Sequence, residues 1–425
     1  MKPLCLALLS ITLGAHAETV AIVGADAWTN AADAPVKNAT IVVADGRIAS
    51  VGAGAPAPPG ARVVQAAGKI VTPGLDAAAT QIGLVELASA ADTDDRAISS
   101  GILGAAFDVS LGVDANSLTI QQARAAGVAR ALVFPGAAGN GIFAGQGARL
   151  YLAGRSNIVS QARVALFVTA GGGAAHAAGG SRAAVWGLLR NALEEARQAR
   201  TGLSPFKPRD QVQNHLELEA LKAVLERHVP LAVFANREAD IRQAIAIAQD
   251  FNVSMVIVGG AEAWRAADGL AAHHVAVIVD PLDELPVNFD SIGARRDNAA
   301  LLARAGVTFS FLVSGQGIYL SYDVGPALRE GAGIAVANGL SYADALRAIT
   351  QSAGRIWGEP ASSKYAMLVP GAPADLVLWD GDPLEPSSAP ALVMLGGKEI
   401  SLQTRQTLLR DRYRPERAPP APAAR

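Results

Sequence analysis

The central part of the chain alternates short apolar segments with helical patterns, and this rhythm constrains the fold more than any other feature. It runs from Pro73 to about Tyr365. The predicted strands are Ala131–Phe134, Ala165–Thr169, Leu231–Phe234, Met255–Val258, Val275–Val279 and Thr308–Val313. The predicted helices are Arg182–Arg200, Glu217–Arg227, Ala239–Asp250 and Ala261–His273. Such alternation indicates parallel βα units. A block of this length fits a (β/α)8 barrel better than an open sheet, although periodicity alone leaves both open.

Both ends of the chain are predicted to be β-structure. The early strands are Thr19–Val23, Thr40–Val43, Arg47–Val51 and Arg62–Gln65, and the late strands are Leu376–Trp379 and Ala391–Leu395. Asp45-Gly46 is a hairpin signal, because both residues tolerate the positive φ of a tight turn. We therefore expect one composite small domain, built from residues 18–72 and 366–413, beside a barrel domain of residues 73–365. Residues 414–425, rich in Pro and Ala, are predicted to be a disordered tail.

The N-terminus has the pattern of a secretory signal peptide. A basic residue follows Met1, Leu4–Gly14 is apolar, and Ala15-His16-Ala17 provides an A-x-A cleavage site. The apolar run is too short to span a bilayer. Cleavage after Ala17 would remove Cys5, the only cysteine, so the mature protein would have no disulfide and no thiol ligand. We expect a periplasmic or secreted protein.

Charge and hydropathy argue against two classes of partner. The formal net charge is -2, so there is no basic surplus of the kind that binds nucleic acid or an anionic membrane. No other segment of the sequence is apolar enough for a membrane span. The partner that we expect is a small-molecule ligand or substrate, with self-association into a homo-oligomer left open.

Three motifs resemble those of the amidohydrolase superfamily, especially its imidazolonepropionase-like and prolidase-like branches. Val71-Thr-Pro-Gly-Leu-Asp-Ala-Ala-Ala-Thr-Gln-Ile-Gly83 resembles the family's signature, Ala39–Gly52 its opening segment and Val369–Pro383 its closing strand. The resemblance covers nearly the whole mature chain. It implies an α/β fold, a distorted TIM (β/α)8 barrel with a small β-sandwich formed by both chain ends.

The same resemblance implies a catalytic metal, but the residues at its ligand positions are unsuited to one. The family places two histidines on the first barrel strand, one at the end of the fifth, one at the end of the sixth, and an aspartate at the end of the eighth. In that order the positions here hold Ala79, Gln81, Phe234, Gly259 and Ser314. Zinc prefers imidazole, thiolate or carboxylate ligands. We therefore expect no metal and no cofactor.

Lysine and histidine do not replace the missing ligands. A bridging carboxylated lysine occurs in some members of the family, but none of the barrel lysines follows a predicted strand: Lys207, Lys222 and Lys364. Four histidines are predicted at helix ends or on the barrel's N-terminal face: His215, His228, His273 and His274. Only His176, in the glycine-rich segment 171–180, is predicted to be able to reach the barrel mouth.

Polar residues remain at predicted strand ends, where barrel enzymes place their chemistry. The weak catalytic candidates are Glu262, Asp280 and Ser314, the ligand-binding candidates are Gln81, Asn236 and Arg237, and Asp283 is a further polar residue there. Each has a structural alternative. Glu262 could complement the dipole of the following helix, Arg237 could pair with Asp240, and Asp280 could begin a turn.

Two other chemistries find little support. The chain has no G-x-S-x-G elbow, and Ser314 has no histidine near it in sequence. The glycines of 139–144 partly match a dinucleotide fingerprint. They lead into Gly147–Leu152, which is predicted as a strand, so the helix N-terminus that binds phosphate is missing.

Two functions follow as hypotheses. The first is an exported amidohydrolase-like hydrolase of C–N bonds with an altered, metal-free site. The second is a non-catalytic relative that binds a small molecule or pairs with an active homologue. Metal-activated water is the nucleophile of the family, and nothing in the sequence replaces it. The favoured interpretation is therefore an amidohydrolase-like protein that does not perform metal-dependent hydrolysis.

Overall fold

The computed structural model describes residues 18–87, 89–98, 103–137, 141–201, 212–283, 285–286, 288–312, 314, 320–360 and 362–414. The predicted signal peptide, the tail from residue 415, Lys207, Val313 and part of the 139–144 segment lie outside these ranges. In chain order the strands are β1 (Val20–Ala27), β2 (Val36–Ala44), β3 (Arg47–Ala53), β4 (Arg62–Gln65), β5 (Ile70–Pro73), β6 (Leu75–Thr80), β7 (Val128–Val133), β8 (Phe143–Tyr151), β9 (Val159–Thr169), β10 (Leu231–Ala235), β11 (Met255–Gly259), β12 (Ala276–Val279), β13 (Phe309–Phe311), β14 (Leu376–Trp379), β15 (Pro390–Leu395) and β16 (Lys398–Ile400).

The helices surround the barrel or connect its strands. They are α1 (Leu118–Ala125), α2 (Gly172–Ala177), α3 (Arg182–Thr201), α4 (His215–Leu225), α5 (Glu238–Phe251), α6 (Ala267–Ala272), α7 (Asn298–Arg304), α8 (Val324–Ala337), α9 (Tyr342–Thr350), α10 (Ser352–Ile356) and α11 (Arg405–Tyr413). In the described part of the chain, none of these helices has the length and apolar character that a bilayer crossing requires.

Strands β6 to β13 form one eight-stranded sheet in sequence order, and β13 lies beside β6, so the sheet nearly closes into a barrel. This confirms the predicted fold class. The barrel is distorted because β8 runs antiparallel to both β7 and β9. Strands β7, β8 and β9 form a meander without intervening helices, whereas β9 to β13 are parallel. The alternation of strand and helix is therefore interrupted at β7 to β9, whereas β6 and β7 are parallel with α1 between them.

Two predicted helices have different bounds in the structure, and a local signal explains one of them. Helix α4 begins two residues before the predicted Glu217 because Asn214 caps it. The Asn214 side chain accepts from the backbone N–H of Leu216 at 3.0 Å and of Glu217 at 3.1 Å, and Glu217 bonds back to complete a capping box. The predicted helix Ala261–His273 is instead a short 3-10 turn followed by α6.

The two chain ends form a second sheet of their own. Its strand order is β16-β15-β14-β5-β1-β2-β3, with β4 paired to β1. Strand β5 pairs antiparallel with β14, with Pro73 opposite Leu376, so material from both ends shares one hydrogen-bond ladder. Asp45 and Gly46 form the β2–β3 turn with φ of 50° and 76°, as the hairpin signal predicts. The strands form a single connected sheet, and the exposed helix α11 follows it.

A buried ionic network links the N-terminal end of the barrel to this sheet. Arg149 of β8 bonds Asp76 of β6 through two contacts, of 2.8 and 3.1 Å, and donates to the Tyr365 hydroxyl at 2.6 Å. The Tyr365 hydroxyl in turn donates to Asp76. Arg130 lies between the rings of Tyr151 and Tyr365, with distances of 4.5 and 4.9 Å to the ring centroids. Arg130 also pairs with Asp375 at 2.7 Å, just before β14. The network therefore joins the two sheets.

We expect Arg149→Met to lower the free energy of unfolding by about 3–5 kcal/mol, because it leaves the carboxylate of Asp76 buried without a cation. Urea denaturation followed by tryptophan fluorescence and circular dichroism measures the loss. Arg155→Met is the matched control, since Arg155 is exposed in the β8–β9 turn, and should change stability by about 0.5 kcal/mol or less. The double variant Asp76→Ala/Arg149→Met should regain part of the loss. A single variant as stable as the control would contradict the role assigned to this pair.

Candidate functional site

Aromatic side chains fill the barrel interior at the height of the expected metal site. Phe234 of β10 contacts Phe134 and Phe167, with ring centroids 5.4 and 5.9 Å apart, and Trp357 lies 6.0 Å from Phe167. Ala79 is 3% exposed and belongs to the same apolar cluster. Two of the five positions that the resemblance assigns to metal ligands thus lie within a hydrocarbon environment, which disfavours a bare ion.

At a third position, the side chain of Asn236 occupies the space that a Cβ atom would need. Gly259 ends β11 with φ +96°, and a Cβ atom there would lie 2.4 Å from Oδ1 of Asn236. The Asn236 amide oxygen occupies that space while accepting from the backbone N–H of Ala261 at 3.3 Å. A histidine at residue 259 would require both a strained backbone and a displaced Asn236.

The remaining two positions carry polar groups that already have partners. Oε1 of Gln81 accepts from Nη1 of Arg96 at 3.1 Å. Arg96 also forms a two-point ion pair with Asp94, and this hydrogen bonding lowers the pKa of Asp94. Ser314 donates from its backbone N–H and from its hydroxyl to Oδ2 of Asp280, at 2.8 and 2.9 Å.

The five positions together do not fit a metal ion. They offer one amide oxygen and one hydroxyl, whereas family-type metal centres use imidazoles and a carboxylate. Among the residues that the structure describes, no group of three or more His, Cys, Asp or Glu side chains is arranged to hold a metal. No catalytic step through a metal is derived from this arrangement.

A cavity of about 290 Å³ opens at the C-terminal ends of the strands. Its walls are Phe134, Thr169, Gly171, Gly172, Gly173, Phe234, Ala235, Asn236, Val258, Gly259, Asp280, Asp283, Asp290, Leu312, Ser314 and Leu320. The cavity brings together the predicted residues Asn236, Asp280, Asp283 and Ser314. It combines aromatic and aliphatic walls with three carboxyl groups, so it could receive a small molecule with an apolar body and a polar or cationic group.

Two of the carboxyl groups are adjacent and differ in environment. Asp280 is 9% exposed, and Ser314 and the backbone N–H of Leu282 donate to it. Burial, and secondarily the charge of Asp280, raise the pKa of Asp283 to about 6. Asp283 can therefore gain or lose a proton near neutral pH. It lies beside Asp280, whose carboxyl group is held by hydrogen bonds, so the two groups could act as an acid and a base.

The third carboxyl group belongs to a chain of ion pairs. Asp290 accepts from the backbone N–H of Gly172 at 2.6 Å and from Arg182. Nε of Arg182 lies 3.8 Å from Oδ2 of Asp240, and Nε of Arg237 lies 3.3 Å from the same oxygen. Burial raises the pKa of Asp240, opposed by these two cations. Arg237 thus pairs with Asp240, which is the structural alternative to ligand binding that the sequence offered. It does not line the cavity.

Glu262 is also engaged away from the cavity. It is 8% exposed, and its two oxygens accept from the backbone N–H groups of Glu238 at 2.9 Å and Gly293 at 3.0 Å. It therefore caps the first turn of α5, the neighbouring helix, rather than the helix that follows it. His176 is exposed on α2 and is absent from the cavity walls. Gln81 likewise does not line the cavity.

Several residues at the mouth were not found from the sequence. Asp290 follows the end of β12 by a long loop, and Arg182 and Arg96 lie far in the chain from the strand ends that they approach. Phe134 and Thr169 end predicted strands, but they are apolar or weakly polar. Both would have been included if strand-end residues of every type, and not only strongly polar ones, had been candidates. No sequence signal specified Asp290 or Arg96.

No family model matches this sequence, and no curated protein matches it significantly. Solved structures do match. An amidohydrolase from Thermotoga maritima MSB8 aligns with a TM-score of 0.78 at 23% identity, over 90% of this chain and 99% of that one. A prolidase solved with N-methylphosphonate-L-proline gives 0.54 at 18% identity, over 91% and 100%. The ochratoxinase of A. niger gives 0.51 at 16%, over 90% and 95%.

These likenesses define the class of the fold. The chain has the fold of amidohydrolase-superfamily proteins over nearly all of its described length, with a distorted barrel and a separate sheet from the chain ends. The structural neighbours include prolidase-like proteins and amidohydrolases. At these sequence identities the likeness establishes the fold but not the reaction.

We expect Asp283→Asn to become more stable than the wild type as pH rises. A carboxyl group with a raised pKa keeps its proton in the folded state between the ordinary value of 3.8 and about 6. The wild type therefore loses stability as pH rises through this window, and Asn, which does not titrate, loses none. Urea midpoints at pH 4 to 8 measure the difference. Asp92→Asn, at an exposed position, is the control. Parallel profiles for the wild type and Asp283→Asn would contradict the expectation.

Proposed function

We propose that this protein is an exported amidohydrolase-fold protein with a degenerate metal site, which binds a small cationic molecule at the barrel mouth without metal-dependent hydrolysis. The observation that carries the proposal is the state of the expected ligand positions. Phe234 and Ala79 pack among aromatic and apolar groups, and a side chain at residue 259 would require a strained backbone and a displaced Asn236. The metal that activates water in relatives of this type has no suitable donors here.

The charge of the cavity supports a cationic ligand. Three carboxyl groups line it, and within the described residues one of them, Asp290, is paired with Arg182. Asp280 accepts hydrogen bonds, but no cation of the described residues lies within ion-pair distance of it. The pKa of Asp283 lets that group ionise at neutral pH. The faces of Phe134 and Phe234 can add a cation–π attraction. A cavity of about 290 Å³ suits a molecule of the size of a small aromatic amine.

A second candidate function is metal-free hydrolysis of a C–N bond. The observation that favours it is the Asp280–Asp283 pair, in which burial and like charge raise the pKa of Asp283. Asp283 could donate a proton to a leaving amine while Asp280 accepts one from water, which is the division of roles that paired carboxyls support. Release of amine from small amides, abolished in Asp283→Asn, would favour this candidate over binding alone. We prefer binding, because the hydrogen bonds from Ser314 occupy the Asp280 oxygen that would serve as base.

We also propose that the protein is exported to the periplasm or beyond. The support is the N-terminal sequence, in which the apolar Leu4–Gly14 precedes the Ala15-His16-Ala17 cleavage pattern. A protein of this kind, with the fold of a hydrolase and without its metal ligands, would be a pseudoenzyme. Self-association, or pairing with an active homologue, remains part of this proposal and is tested by the oligomeric state of the purified protein.

Elemental analysis of the mature protein, expressed with zinc, manganese and iron supplied, should find metal far below one ion per chain after gel filtration. The reason is that no group of three or more His, Cys, Asp or Glu side chains in the described residues is arranged to hold a metal. Near-stoichiometric metal would contradict the degenerate-site proposal. If Asp280→Asn then released that metal while Asp92→Asn retained it, the ion would be assigned to the mouth.

Benzylamine should bind about tenfold more tightly than benzyl alcohol at pH 8, because the two probes differ mainly in the charge that the carboxyls attract. Isothermal titration calorimetry measures both affinities. Asp283→Asn should remove most of the preference, whereas Asp92→Asn should keep it. The preference should also grow as pH rises through about 6, where Asp283 ionises. Equal affinity for the two probes in the wild type would refute the cationic-ligand proposal.

A further inference from the structure

Two further cavities lie at the opposite end of the barrel, where each helix connects to the start of the next strand. Their volumes are about 530 and 320 Å³. Both are lined by the same five residues, Arg227, Pro230, Ser254, Arg355 and Ile356, so the two cavities are continuous along this shared segment. We call this continuous space the basal groove. It lies below β10, β11 and β12, on the face away from the mouth.

The basal groove is lined by basic side chains. Arg227 and Arg355 occupy the shared segment, and His228, His273 and His274 line its two ends. None of the described lining residues is an aspartate or glutamate. Glu226, next to the groove, is paired with His228 at 3.4 Å. The groove therefore concentrates positive charge, in contrast to the acidic mouth.

The guanidinium of Arg355 is not used elsewhere in the fold. Its side chain is exposed and forms no hydrogen bond or ion pair with any residue for which the structure gives a position. Within the ranges that the structure describes, the Arg227 side chain bonds only Asn252, a neutral residue, and donates to its Oδ1 at 3.0 Å. Two guanidinium groups without carboxylate partners line one segment of one cavity, and guanidinium is the side-chain group that best matches the oxygens of a carboxylate or phosphate.

Three residues of the groove hold a backbone conformation that favours glycine. Arg227, Asn252 and His274 have φ of 61°, 52° and 53°, and each follows the end of a helix, α4, α5 or α6. Glycine is the usual residue at such a position, and a non-glycine side chain there is strained. At two of these three turns the chain instead carries Arg or His, and both side chains line the groove.

Part of the groove's floor is apolar. Met255, Val275 and Ile356 line the larger cavity, and Ile356 and Trp357 line the smaller. Pure charge recognition would not require such a floor. The combination of an apolar floor and cationic walls suits a small molecule with a hydrocarbon or aromatic body and an oxyanion head.

We propose that the basal groove binds a small organic anion, whose phosphate or carboxylate group contacts Arg227 and Arg355 and whose apolar body packs against Ile356 and Trp357. The carbonyl ends of α4, α5 and α6 point toward this face and repel an anion. Binding therefore depends on the two guanidinium groups. The proposed anion site is separate from the mouth, and it stands whether or not the mouth binds a cation.

The test uses the purified mature protein and three probes: inorganic phosphate, phenyl phosphate and benzoate. Calorimetry at constant ionic strength should show phenyl phosphate binding more tightly than inorganic phosphate, because only the former contacts the apolar floor. Arg355→Gln should weaken phenyl phosphate about tenfold, the size expected for one charge-assisted hydrogen bond. Arg227→Gln/Arg355→Gln should abolish measurable binding. Comparison with benzoate then shows whether the head recognised is phosphate or carboxylate.

Two controls separate this site from general electrostatics and from misfolding. Arg155→Gln removes an exposed arginine from the β8–β9 turn, on the same end of the barrel but outside the groove, and should leave affinity unchanged. Circular dichroism should show Arg355→Gln folded, since its side chain has no partner to lose. The proposal is overturned if none of the probes binds the wild type, or if Arg155→Gln weakens binding as much as Arg355→Gln.

Discussion

The filling of the barrel interior is the constraint on which the rest of the structure depends. A barrel of eight strands encloses a space that must be packed by side chains. Here Phe134, Phe167, Phe234 and Trp357 fill it, with centroid distances of 5.4 to 6.0 Å. The Trp357 indole also donates to the carbonyl of Ala78 on β6 at 2.8 Å. This packing closes the barrel around an aromatic core, forms the floor of the mouth cavity, and occupies the place where the resemblance predicts metal ligands.

The polar groups are consequently divided between the two ends of the barrel. At the mouth, carboxyl groups on the loops after β12 surround a small cavity, and the guanidinium groups of Arg96 and Arg182 are each held by an aspartate. At the other end, Arg227 and Arg355 have no acidic partner in the described chain. The described side chains that line the two ends thus differ in charge, which is the basis of the two different ligands that we propose. One barrel can carry both groups of charged side chains because the apolar interior separates its two ends.

Much of the fold could be predicted from the sequence, because strands and helices leave local patterns. Two strands, Arg62–Gln65 and Leu376–Trp379, have their predicted bounds. The antiparallel course of β8 could not be predicted, because a strand's direction depends on its partners rather than on its own residues. The candidate site was predicted in part. Asp280 and Ser314 follow strands, so their place at the mouth was expected, whereas Asp290 reaches it through a loop whose path the sequence does not specify.

Residue identity at a given position is a local property, so the sequence alone determined which side chains stand at the expected metal positions. The repeated strand and helix patterns left a barrel and an open sheet both possible, and the resemblance of three sequence motifs to a known family favoured the barrel. Only the tertiary structure decided which polar groups meet. Glu262 caps α5 and Ser314 bonds Asp280, each through a contact between loops that follow different strands. Their distances depend on how the barrel closes, and that closure is set by packing between residues far apart in the chain.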